Sequence, residues 1–139
     1  MKRFIAILLV LCSFATPIYA SADNSDYGIM PAYEAVSDYE HNFVISASGI
    51  ASISFNYDLM NNAQSIRIET KIQKKFLFFF WSDIDGGSWT DSFTTSTGSF
   101  KHTLQLADKA TYRAVFHVYA VGSDGSVDDF ELTKEYVYD

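Results

Sequence analysis

From Phe43 onward apolar and polar residues alternate with a period of two. Ala51, Ile53, Phe55, Tyr57 and Leu59 are separated by Ser52, Ser54, Asn56 and Asp58; Ile66, Ile68, Thr70 and Ile72 are separated by Arg67, Glu69, Lys71 and Gln73. Phe43, Ile45 and Ala47 share one face, and Phe100, His102, Leu104 and Leu106 share another, opposite Lys101, Thr103 and Gln105. Successive side chains of a strand point to opposite sides of a sheet, so each run is a half-buried strand with one wet face. Turn signals punctuate the runs: Ser48-Gly49, Asn61-Asn62, Gly86-Gly87 and Asp124-Gly125. A polar Ser/Thr/Gly stretch, Thr94 to Ser99, precedes the strand of Phe100. Thr111 to Val121 and Val127 to Tyr138 form a closing hairpin around Asp124-Gly125. No window beyond the first 22 residues carries helical spacing. Seven or eight short strands predict an all-β antiparallel sandwich.

Residues 1–22 have another character. Lys2 and Arg3, an apolar run from Phe4 to Ala15, and the small-residue site Ala20-Ser21-Ala22 have the layout of a secretory signal peptide cleaved near Ala22. The apolar run is too short to span a bilayer, which takes about 20 residues, and no second run of that length follows. Leu11 before Cys12 does not match a lipoprotein site. The expected organisation is a signal peptide (1–22), an acidic tail or edge segment (23–42) and a β-sandwich domain (43–139), secreted and extracellular. Removing the leader takes away the only cysteine, so the core must be held by burial, to which 12 Phe, 9 Tyr and 2 Trp contribute. An exported chain without disulfides fits a bacterial source. The charge moves from 10 − 17 = −7 to 8 − 17 = −9 once Lys2 and Arg3 are gone. That sign opposes nucleic acid and anionic lipid surfaces, both of which attract basic residues.

Leu106-x-Asp108-x-Ala110-x-Tyr112-x-Ala114 resembles the tyrosine corner of immunoglobulin-like domains. The run from Tyr112 to Val121, followed by Asp124-Gly125, is similar to the last two strands of fibronectin type III domains. The likeness departs at the second strand, where Phe55 or Tyr57 stands in place of the family's Trp. The wider layout resembles small secreted immunoglobulin-like proteins of Gram-positive bacteria: Gly28 to Tyr33, Ser48-Gly49, Lys71 to Gln73, the paired Trp81 and Trp89, and Tyr112-Arg113 carry it. The resemblance implies an immunoglobulin/fibronectin III-like fold, an extracellular location and a Tyr112 hydroxyl bonded to upstream backbone. It transfers no functional residue.

Phe76-Leu77-Phe78-Phe79-Phe80-Trp81 is the leading candidate site. A fully apolar hexamer in a strand must bury both faces or leave aromatics in water. Since apolar runs are core more often than site, a central strand after a turn near Lys74-Lys75 is the expectation. The alternative is an aromatic patch for a protein partner, a glycan or a membrane interface, flanked by Lys74, Lys75, Asp83 and Asp85 as gatekeepers. Trp81, Trp89 and Tyr119 could also stack on sugar rings. Asp83 to Gly87 and Asp124 to Asp129 lack the spacing of a calcium loop and read as turn chemistry. His41, His102 and His117 are scattered without zinc spacing, and no nucleophile elbow or phosphate loop occurs. The sequence therefore predicts no catalytic residue, no metal and no cofactor. A non-catalytic binding module for an extracellular protein or glycan is expected, with a glycan-binding accessory domain and a small hydrolase as rivals.

Overall fold

A computed structural model of the chain describes residues 33–61 and 63–139; the expected signal peptide, the tail through residue 32 with most of its Gly28 to Tyr33 motif, and Asn62 lie outside the described residues. Seven strands follow one another: β1 (Val36–Ile45), β2 (Ile50–Leu59), β3 (Ala63–Phe76), β4 (Phe80–Phe93), β5 (Thr97–Gln105), β6 (Ala110–Gly122) and β7 (Val127–Tyr138). They make two antiparallel sheets, β1-β2-β5 and β4-β3-β6-β7. The all-β sandwich expected from the alternation is what forms. Among the described residues no helix is long and apolar enough to cross a membrane.

The core is the set of inward positions of both sheets. Phe43, Ile45, Ile53, Phe55, Tyr57, Ile66, Ile68, Ile72, Tyr112, Phe116 and Val118 are buried. Phe55 bridges the layers, its ring 5.7 Å from Phe116 of the other sheet, and stacks at 6.0 Å on its cross-strand neighbour Phe100. At about 25 cal/mol per Å² of apolar surface, this burial is the main favourable term in a fold without sulfur bridges. Tyr112 is 2% exposed, and its hydroxyl donates to the Asp108 carbonyl at 2.8 Å. That is the bond the tyrosine-corner likeness implies.

Three local features differ from the sequence reading. β1 begins at Val36, seven residues ahead of the expected domain start, and pairs with β2 from Val36↔Leu59. Its entry is tied down by Asp128, only 6% exposed, whose carboxylate accepts the N–H groups of Glu34 (2.9 Å), Ala35 (2.8 Å) and Val36 (2.8 Å). The first half of β1 carries mostly polar, partly or fully exposed residues, so the strand has little apolar alternation before Phe43.

Gly86-Gly87 does not reverse the chain. Lys71 pairs with Ser88 and Gln73 with Asp83, so residues 84–87 bulge opposite Ile72 within one continuous β4. Gly86 takes φ +74°, and a Cβ on Gly87 would lie 2.7 Å from the Ile84 side chain. Such bulges need glycine for the same backbone reason that turns do, which is why the dipeptide reads as a turn.

The third difference is the aromatic run. Lys74 and Lys75 are inside β3, and the chain reverses at residues 77–79. The expected central strand is instead a hairpin tip.

Candidate functional site

β3 and β4 pair as far as Phe76↔Phe80, and Leu77, Phe78 and Phe79 close the hairpin. Leu77 and Phe78 hold left-handed backbone, φ 44° and 67°, and the Phe79 N–H donates to the Leu77 carbonyl at 2.8 Å. The right-handed twist of paired strands favours left-handed loop residues, normally Gly, Asn or Asp. An L-residue with a Cβ costs about 1–2 kcal/mol there. Here the loop is made of leucine and phenylalanine. Phe78 is 84% exposed and Phe79 81%, while Phe76, Leu77 and Phe80 each expose more than half their surface. No other stretch of the described residues exposes so many consecutive large apolar side chains.

The β3–β6 ladder ends at Lys74↔Tyr112, two positions short of the last β3–β4 pair at Phe76↔Phe80, so the end of the hairpin is paired only within itself. At its base Trp81 lies on the outer face of the four-stranded sheet. The Arg113 guanidinium sits 4.4 Å from the indole centre and the Lys75 ammonium 5.5 Å. Arg113 Nε donates to Gln73 Oε1 at 2.7 Å, and Gln73 Nε2 donates to Asp83 Oδ1 at 2.6 Å. Lys74 binds Asp108 at 2.6 Å, and this hydrogen bond raises its pKa. These contacts hold the base of the hairpin end against the sheet by polar bonds, leaving the apolar tip without cover.

The other aromatic candidates do not join it. Trp89 pairs with buried Thr70 and so faces the opposite sheet, where it packs on the core and stacks on His102 at 5.0 Å. Tyr119 is on the outer face but six residues along β6 from Arg113, about 20 Å at strand rise. The Arg67 guanidinium lies 5.4 Å from its ring. Trp81, Trp89 and Tyr119 therefore form no common stacking platform. Phe76, Phe78, Phe80 and Trp81 are together, and Leu77 and Phe79 belong with them.

The acidic clusters disperse. Asp124 accepts from the backbone N–H and hydroxyl of Ser126 at 3.0 and 2.6 Å, which lowers its pKa and closes the β6–β7 turn. Asp128 binds the entry of β1, and Asp129 binds His117 at 2.5 Å. His102 binds Asp91 at 2.7 Å. Among the described residues neither imidazole is hydrogen-bonded to a hydroxyl that could serve as a nucleophile. No family model matches the chain, and no curated protein is significantly similar to it.

Proposed function

We propose that the protein is an exported, non-catalytic binding module of the immunoglobulin/fibronectin III-like kind, which presents the β3–β4 hairpin tip to its partner. The carrying observation is the loop itself: five consecutive exposed apolar residues, two of them in left-handed backbone. Neither folding nor solubility benefits from that arrangement. Strain and exposed apolar surface persist where function uses them. The strand order β1-β2-β5 over β4-β3-β6-β7 and the Tyr112–Asp108 bond support the fold assignment. The leader-like residues 1–22 support export.

The direct test compares the protein with a Phe78→Ser/Phe79→Ser variant on a glycan array, an extracellular-protein array and lipid vesicles. Binding that the variant loses, while its circular dichroism spectrum is unchanged, supports the proposal. If no ligand in any of the three sets depends on the tip, the proposal is wrong.

A further inference from the structure

The order of side chains along the hairpin matches the order of layers at a membrane surface. Phe76, Leu77, Phe78, Phe79 and Phe80 form the exposed end. Trp81 follows at the base, held between the Lys75 and Arg113 cations. Lys75 and Arg113 have no carboxylate at ion-pair distance among the described residues. Near the base, Asp108 binds Lys74 and Asp83 binds Gln73 and Lys71, while Glu135, opposite Arg113 in the β6–β7 ladder, is not at ion-pair distance from it. An apolar end, then an amphipathic indole flanked at its own level by cations, corresponds to acyl chains followed by an interface with headgroup phosphates.

The length fits as well. Phe78 is three positions beyond Lys75, so even at full strand rise the tip reaches at most about 10 Å past it. Interfacial elements sink about 5–10 Å into the headgroup and acyl boundary, whereas a spanning strand needs about 9–11 residues. The hairpin can anchor but not cross.

Two grooves of the described surface mix charged and apolar side chains: Lys71, Gln73, Arg113 and Asp129 with Val115 and Phe130 in one, and Asp38, Glu40, Asn56 and Asp58 with Tyr39 and Tyr57 in the other. Neither is a wholly apolar seat that a second copy could offer this tip. A convex cluster of five apolar side chains needs a partner that moulds to it, and fluid acyl chains do so. We infer that the β3–β4 hairpin tip inserts into the interface of a lipid bilayer, with Trp81, Lys75 and Arg113 at headgroup level. This rests on the tip being the binding element. Because the chain without residues 1–22 carries 8 − 17 = −9, insertion is driven by apolar burial and not by charge.

The test floats protein recovered from culture medium after export on phosphatidylcholine vesicles. The expected result is co-flotation that survives about 0.5 M salt, where screening leaves a Debye length of only a few ångströms. Trp81 emission should shift to the blue on adding vesicles. Phe78→Ser/Phe79→Ser should lower the partition coefficient by about tenfold or more, since each Phe contributes on that order when buried. Tyr119→Ser, on the same outer face but far from the tip, should leave it unchanged. Absence of flotation, equal flotation by the double variant, loss at high salt, or tip-dependent dimers in sedimentation would each overturn the inference. If flotation fails while a glycan or protein still requires Phe78 and Phe79, lipid is the wrong partner and the binding-module reading stands. If all three fail, both readings fall.

Discussion

The Asp128 carboxylate accepts the Val36 N–H at 2.8 Å, joining β7 to the entry of β1 across 92 residues of chain. The same carboxylate holds the N–H groups of Glu34 and Ala35, and Ala35 is fully buried. One side chain therefore satisfies three donors at the very start of β1, whose first ladder pair is Val36↔Leu59. Backbone donors buried without partners cost about as much as lost hydrogen bonds.

Asp128→Ala should destabilise the domain by about 2–4 kcal/mol, because it strands two buried N–H groups and one partly buried one. Asp128→Asn keeps one acceptor oxygen and should cost less. Chemical denaturation measures both; a fully stable Asp128→Ala protein would show that the clamp is dispensable. Hydrogen exchange should localise the loss to residues 34–36.

Tyr112→Phe removes the hydroxyl that donates to the Asp108 carbonyl and leaves the ring in place. The expected loss is about 1–2 kcal/mol, the price of one buried hydrogen bond. Superimposable melting curves for the two proteins would contradict it.

His41 packs edge-on against Phe116, with ring centres 5.4 Å apart. Burial, reinforced by the Lys134 ammonium and opposed by Glu40, holds its imidazole below the ordinary pKa of 6.5. The unfolded chain therefore takes up the proton first. His41 leaves stability intact above 6.5 and reduces it as pH falls from there toward the lower folded value. Urea midpoints of the wild type should drop between about pH 7 and about pH 5 by more than those of His41→Phe, which has no proton to bind. Parallel pH profiles would exclude His41 as the source.

Thr70 is fully buried in β3, and its hydroxyl has no hydrogen-bond partner among the described residues. Thr70→Val has nearly the same shape and removes the unpaired group. Stability should rise by about 1 kcal/mol, read as a higher denaturation midpoint. A fall would mean that the hydroxyl is satisfied in solution.

The aromatic hexamer shows where sequence reasoning reached and where it stopped. Its oddness was legible, since no strand with one wet face carries six apolar residues in succession. Its placement was not, because Leu77 and Phe78 have none of the chemistry that announces a turn. Gly, Asn and Asp mark turns because left-handed backbone costs them little. A loop that bears that cost with Leu and Phe is invisible to a reading based on low-cost residues. Gly86-Gly87 misleads in the opposite direction, since bulges and turns ask glycine for the same freedom. Asp128, within the Asp124 to Asp129 cluster, reads as turn chemistry because a carboxylate beside a turn is ordinary until a second strand's N–H groups arrive at it.

Residue spacing along the chain is enough to specify the sandwich. Period-two alternation assigns each residue to a face, and a chain of such strands can hide its apolar faces only by stacking two sheets. Tyr112 was readable for the same reason, since its partner lies four residues away. Folding in three dimensions adds that the β3–β6 ladder stops before the β3–β4 ladder does, that Trp81 and Trp89 lie on opposite sides of β4, and that Asp128 meets β1. Those facts depend on strand register and on where paired strands end. Register is set by contacts between residues distant in the chain, which local spacing does not encode.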